Sequence, residues 1–192
     1  MSEFKFEAWP TEFLSINQHF GANPQNYAQF GLPGHDGVDI MAPTGSKIFA
    51  VADGLVQMTL NDPNQHNYGI HIRINHQDDY QTIYAHLQKT MARPGQQVEA
   101  GQLIGLADDT GNSFGSHLHL ALKRKNHKYK NWPFHFFDPT PFLLPLMGWQ
   151  RPSGPYINGW AYTAGMTIVN NLAQANAGGI NLRKAPSIGG KL

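Results

Sequence analysis

Between residues 40 and 123 the chain never sustains the three-to-four-residue apolar repeat of an amphipathic helix. It offers short β-type segments instead, at 48–51, 54–59, 70–75, 81–86, 102–107 and 117–123. Turn signals separate them: Pro43-Thr44-Gly45, Asp53-Gly54, Asp62-Pro63-Asn64, Asp78-Asp79, Arg93-Pro94-Gly95 and Asp109-Thr110-Gly111-Asn112. Short strands at regular spacing predict an all-β domain, an antiparallel sheet core with long loops. Upstream, prolines and glycines break up the first 33 residues, leaving room for one short strand within 13–20. Residues 87–92 suit a helical turn at most.

Two of these segments carry chemistry. In Ser116-His117-Leu118-His119-Leu120 the side chains alternate faces, so His117 and His119 project to one side and the leucines to the other. Residues two apart on a strand stand about 6.5–7 Å apart, close enough to meet one ion or one substrate. In Gly34-His35-Asp36-Gly37-Val38-Asp39-Ile40, a third imidazole and a carboxylate lie four residues apart around a glycine. Imidazoles with a carboxylate and an open position are what catalytic zinc requires. The predicted fold therefore places its long loops as a groove over a metal site. The other histidines, His19, His66, His71, His76, His127 and His135, read as surface or satisfied core residues, with His76 capping the Asp78-Asp79 turn.

Composition narrows the functions further. The chain has no cysteine, which excludes thiol catalysis, disulfides and cysteine-bound zinc. Its formal charge is +1, so no strong field draws it to nucleic acid, and the basic run at 123–130 reads as a solvated face. Charged residues are 14% of the chain, against roughly 25% in ordinary globular proteins, so its surface relies on neutral polar groups. No apolar run approaches the roughly 18 residues of a membrane span. Met1-Ser2-Glu3-Phe4-Lys5-Phe6-Glu7 carries charges where a signal peptide needs an unbroken apolar stretch.

Residues 31–123 resemble the lysostaphin/LytM-type zinc endopeptidases, peptidase family M23, through an ordered series of blocks. The series runs from Gly34-His35-Asp36-Gly37-Val38-Asp39-Ile40 through Ala42-Pro43-Thr44-Gly45, Ala50-Val51-Ala52-Asp53-Gly54 and Tyr68-Gly69. It continues with Tyr84-Ala85-His86-Leu87, the glycine-framed stretch 95–105 and Gly115-Ser116-His117-Leu118-His119. The resemblance implies that His35, Asp39 and His119 ligate Zn2+ and that His117 and His86 handle protons and charge. It further implies peptidoglycan peptide as substrate and a location in or near the cell wall. Asp108-Asp109 stands where the family often has a glycine. Tyr68 is a candidate for substrate binding. Because no H-E-x-x-H motif supplies a glutamate base, a histidine must serve, and His117, next but one to His119, is the leading candidate. The alternative function is a non-catalytic, wall-binding or amidase-activating domain of the same fold.

The expected division is a peptidase domain with an N-terminal extension over 1–150, then a linker and a small unit over 151–192. In the latter, Gly179-Ile180-Asn181-Leu182-Arg183-Lys184-Ala185-Pro186 resembles the opening of a bacterial SH3 domain. Residues 124–150 should close the first domain by packing Trp132, Phe136 and Phe137 on its core.

Overall fold

The computed structural model describes residues 3–125 and 135–147, together with the short strands Tyr156–Ile157 and Trp160–Ala161, which pair with each other. Trp132 and the SH3-like stretch lie outside the described residues. Ten strands form one sheet in which every pairing is antiparallel. In chain order they are β1 (Ile16–Gln18), β2 (Val38–Met41), β3 (Lys47–Phe49), β4 (Gly54–Leu60) and β5 (Ile70–Asn75), then β6 (Tyr80–Thr90), β7 (Gln97–Val98), β8 (Leu103–Ala107), β9 (His117–Arg124) and β10 (Phe136–Phe137). The main path runs β1-β2-β9-β6-β5-β4-β7, while β8 links β3 to β6 and β10 joins β9. Two single-turn helices, Pro24–Tyr27 and Thr140–Leu143, are the α-helical segments among the described residues. No helix there is long and apolar enough to cross a membrane.

The alternation foreseen for residues 117–122 holds: Leu118, Leu120 and Leu122 are wholly buried in the main core with Val38, Ile40, Ile72, Ile74 and Tyr84. The Tyr84 hydroxyl ends deep in that core and accepts the backbone N–H of Val51, so its polar tip is satisfied where water is excluded. A smaller apolar cluster, Leu32, Ile83, Ala121 and Phe136, lies beneath the aromatic residues of the 20–30 segment and Tyr68. Phe136 and Phe137 do pack on the cores, as expected of the closing segment.

Two local expectations are corrected. Residues 87–90 are not a helical turn: β6 continues to Thr90, because Leu87, Lys89 and Thr90 pair with β8. His76 does not cap the following turn. Its ring nitrogens face the Asp53 carbonyl at 2.7 Å and the Thr82 hydroxyl at 2.7 Å, binding the start of β4 to β6.

Candidate metal centre

Strand pairing brings the carboxylate to the imidazoles. Asp39 on β2 lies directly across from His119 on β9, and antiparallel partners share a face. His35 sits just before β2, where the chain crosses the same face. Its Nδ1 is 3.1 Å from the His19 carbonyl, so the ring donates there and turns the Nε2 lone pair inward. His35 Nε2, Asp39 Oδ1 and His119 Nδ1 then converge, with separations of 2.9, 3.1 and 3.1 Å. Ligands about 2.0–2.1 Å from a tetrahedral zinc stand about 3.3–3.4 Å apart, a few tenths wider than this cluster. The donor set and spacing fit such an ion. These are also the three residues of the described chain whose donor atoms group closely enough to hold a metal.

The other two predicted histidines border the same point. His117 Nε2 is 3.4 Å from Asp39 Oδ1, and its Nδ1 donates to the Gly115 carbonyl at 2.7 Å. His86 Nδ1 donates to the Thr110 carbonyl at 2.7 Å, and its ring centroid is 4.9 Å from that of His117. Each imidazole is thus fixed through Nδ1, and His117 turns its Nε2 toward the Asp39 carboxylate. His86 owes its direction to a bulge. β6 pairs with β9 as far as Ala85 and with β8 from Leu87, and between them His86 has φ +59°. A non-glycine residue in the left-handed region is strained, and a bulge there re-aims one side chain. Backbone bonds to Tyr68 and Asp108 hold it in place.

The electrostatics follow from this crowding. Burial alone would raise the Asp39 carboxyl, but the imidazoles of His35, His117 and His119 crowded against it hold it well below the usual carboxylate range. Burial would lower His119 and His117. Contacts with Asp39 outweigh it, and both are raised. His86 is pushed down to about 3 by burial and then by the neighbouring imidazoles, and it stays neutral.

Two site features escaped the sequence reading. Thr110 is one: its carbonyl holds His86, and its hydroxyl donates to the Leu87 carbonyl while accepting the Ile70 N–H. The Thr110-Gly111 and Tyr68-Gly69 backbones lie so close that a Cβ on Gly69 would collide with Thr110, and one on Gly111 with Gly69. Asp36 is the other. It is buried beside His119 and accepts a hydrogen bond from the Tyr68 hydroxyl. Tyr68, expected at the substrate, lies with its ring 5.3 Å from His119, and burial, with the Asp36 carboxylate beside it, raises its hydroxyl well above the usual range and keeps it protonated. Beyond Tyr68 a cleft of about 600 Å³ opens between Phe30, the 63–67 loop and Gly111-Asn112, lined by amides and His66 with no charged side chain.

An all-β domain whose central strands gather two imidazoles and a carboxylate, with two further imidazoles beside them, has the architecture of a metallopeptidase. Residues 33–131 match peptidase family M23, and the chain belongs to that family. Over 88 residues it is 42% identical to the peptidoglycan DD-endopeptidase ShyA of Vibrio cholerae, covering 46% of this chain and 20% of that protein. Over 117 residues it is 38% identical to the murein hydrolase activator NlpD of Escherichia coli, covering 61% of this chain and 28% of that one. A zinc-containing peptidase of Vibrio cholerae superimposes with a TM-score of 0.53 at 32% identity, covering 62% of this chain and 37% of its own. The chain therefore spans a fifth to somewhat over a third of the length of these relatives.

Proposed function

We propose that this chain is a zinc-dependent endopeptidase that hydrolyses peptide bonds in the cross-links or bridges of bacterial peptidoglycan, working in or near the cell wall. One observation carries the reading: three donor atoms from residues 35, 39 and 119 meet within 3.1 Å of one another, with His117 Nε2 3.4 Å from the shared carboxylate oxygen. His35, Asp39 and His119 are the ligands. Zinc held by two neutral imidazoles and one carboxylate supplies Lewis acidity, which polarises a peptide carbonyl and makes hydroxide available near neutral pH.

The remaining steps belong to side chains. His117 Nε2, its ring held by Gly115, takes the proton of the attacking water. His86, held by Thr110, faces the same space and serves the charge developing on the carbonyl or the nitrogen of the departing amine. The two roles are separable by the pH–rate profiles of single variants. Tyr68 and the amide-lined cleft beyond it form one wall of the groove in which the wall peptide lies.

The relative named as a murein hydrolase activator supports a second reading, a non-catalytic domain that acts through a partner enzyme. The complete imidazole–carboxylate set favours hydrolysis. Incubating the zinc-loaded protein with isolated sacculi and analysing soluble fragments by mass spectrometry decides between them. Release of peptides by the wild type and not by Asp39→Ala is expected; equal release, or none from either, overturns the catalytic reading.

A further inference from the structure

His119 has a second ring nitrogen that the metal does not use. With Nδ1 turned to the point shared with His35 and Asp39, the ring proton belongs on Nε2. That nitrogen is fully buried and has no hydrogen-bond partner among the described residues. The carboxylate oxygen facing it is Asp36 Oδ1, 3.5 Å away, longer than a formed hydrogen bond. Asp36 Oδ2 accepts the Tyr68 hydroxyl, and the Tyr68 ring stacks on His119 with an interplanar angle of 29°. Asp36 is only 7% exposed, so its charge is not spent on solvent. Gly37 makes the approach possible: a Cβ there would stand 2.9 Å from His119 Nε2 and 2.5 Å from the Leu120 carbonyl oxygen.

We propose that Asp36, anchored by Tyr68, is a positioning residue that holds His119 as its Nε2–H tautomer with Nδ1 directed at the metal, and thereby sets how tightly the site binds zinc. Asp36 touches neither metal nor substrate. It acts through the imidazole, as the carboxylate partners of metal-bound histidines do in general. Its neighbour in sequence is His35, yet it serves the ligand 83 positions further along the chain, because the turn at Gly37 folds Asp36 across the His119 ring. The inference rests on the ligand assignment proposed above.

The test is zinc affinity, measured by chelator competition on metal-free protein for the wild type, Asp36→Ala, Asp36→Asn, Tyr68→Phe and His119→Ala, with circular dichroism and thermal melting of each metal-free form. Asp36→Ala should weaken zinc binding about 10–100-fold. Asp36→Asn, which keeps an oxygen toward Nε2, should recover part of that loss at equal thermal stability, and Tyr68→Phe should lose a few-fold. A purely structural role for Asp36 would make affinity follow melting temperature and leave no rescue by Asn, and that result overturns the proposal. So does an Asp36→Ala affinity within twofold of the wild type while His119→Ala fails to bind. Should Asp36→Ala not fold, wild-type affinity in Tyr68→Phe at unchanged thermal stability has the same meaning. A wild type that binds no zinc brings down the ligand assignment itself, and is thereby distinguishable from failure of the positioning role alone.

Discussion

Strand β9 presents two faces with opposite requirements. Leu118, Leu120 and Leu122 lie wholly inside the main core, where what counts is volume and removal of apolar surface from water, worth about 25 cal/mol per Å². On the other face His117 and His119 meet Asp39, and what counts is which nitrogen carries a proton and which a lone pair. The first face stabilises the fold through dispersion and burial; the second crowds titratable groups together, an arrangement that is costly unless they are paired or coordinate a metal. Over residues 117–120 the two-residue period thus separates folding from chemistry, while Ala121, further along the histidine face, joins the smaller apolar cluster.

The contrast can be broken most decisively on the polar face. Asp39→Ala or His119→Ala should yield folded protein without stoichiometric zinc and without hydrolysis, measured by elemental analysis and muropeptide release; full zinc occupancy in either would contradict the ligand assignment. His117→Ala and His86→Ala should keep their zinc and lose about 10²–10⁴ in rate. An unchanged kcat in either removes that residue from proton handling. On the apolar face, Leu120→Ala should cost about 2–5 kcal/mol in urea unfolding while the folded fraction still binds one zinc. If it lowered zinc binding without lowering stability, the two faces would not be separate.

The smallest effect concerns β5. His71 is wholly buried, with Nδ1 donating to the Gly69 carbonyl and Nε2 accepting from Arg73, and burial pushes it down to about 4. Its folded value lies below the unfolded value of about 6.5, so its contribution to stability is complete above pH 6.5 and is lost as pH falls toward 4. In metal-free protein His71→Gln should therefore show a shallower fall of unfolding free energy between pH 7 and pH 4.5 than the wild type. Equal slopes would contradict this.

Much of this was legible in the residues. The alternation of 117–122 announced both faces of β9, and the turn signals between segments announced an antiparallel sheet, because those features depend on near neighbours. The four-residue spacing marked His35 and Asp39 as a pair and the M23 resemblance joined them to His119, but the direct pairing of Asp39 with His119 is a long-range register. His86 was less legible. Its direction depends on a bulge at which β6 exchanges β9 for β8, and no local pattern encodes that exchange, just as none showed that β6 runs on into the 87–92 stretch read as a helical turn at most. Asp36 was hidden for a different reason. An aspartate before a glycine is an ordinary turn former, and only the packing of Tyr68 against His119 gives it another use.

Anomalous diffraction at the zinc edge from crystals of the zinc-loaded protein tests the central claim most directly. The account predicts one peak about 2.0–2.2 Å from His35 Nε2, Asp39 Oδ1 and His119 Nδ1, with His86 and His117 beside the ion and not bound to it. A peak ligated by His86 or His117 in place of any of those three, or no peak in this cluster, would contradict it.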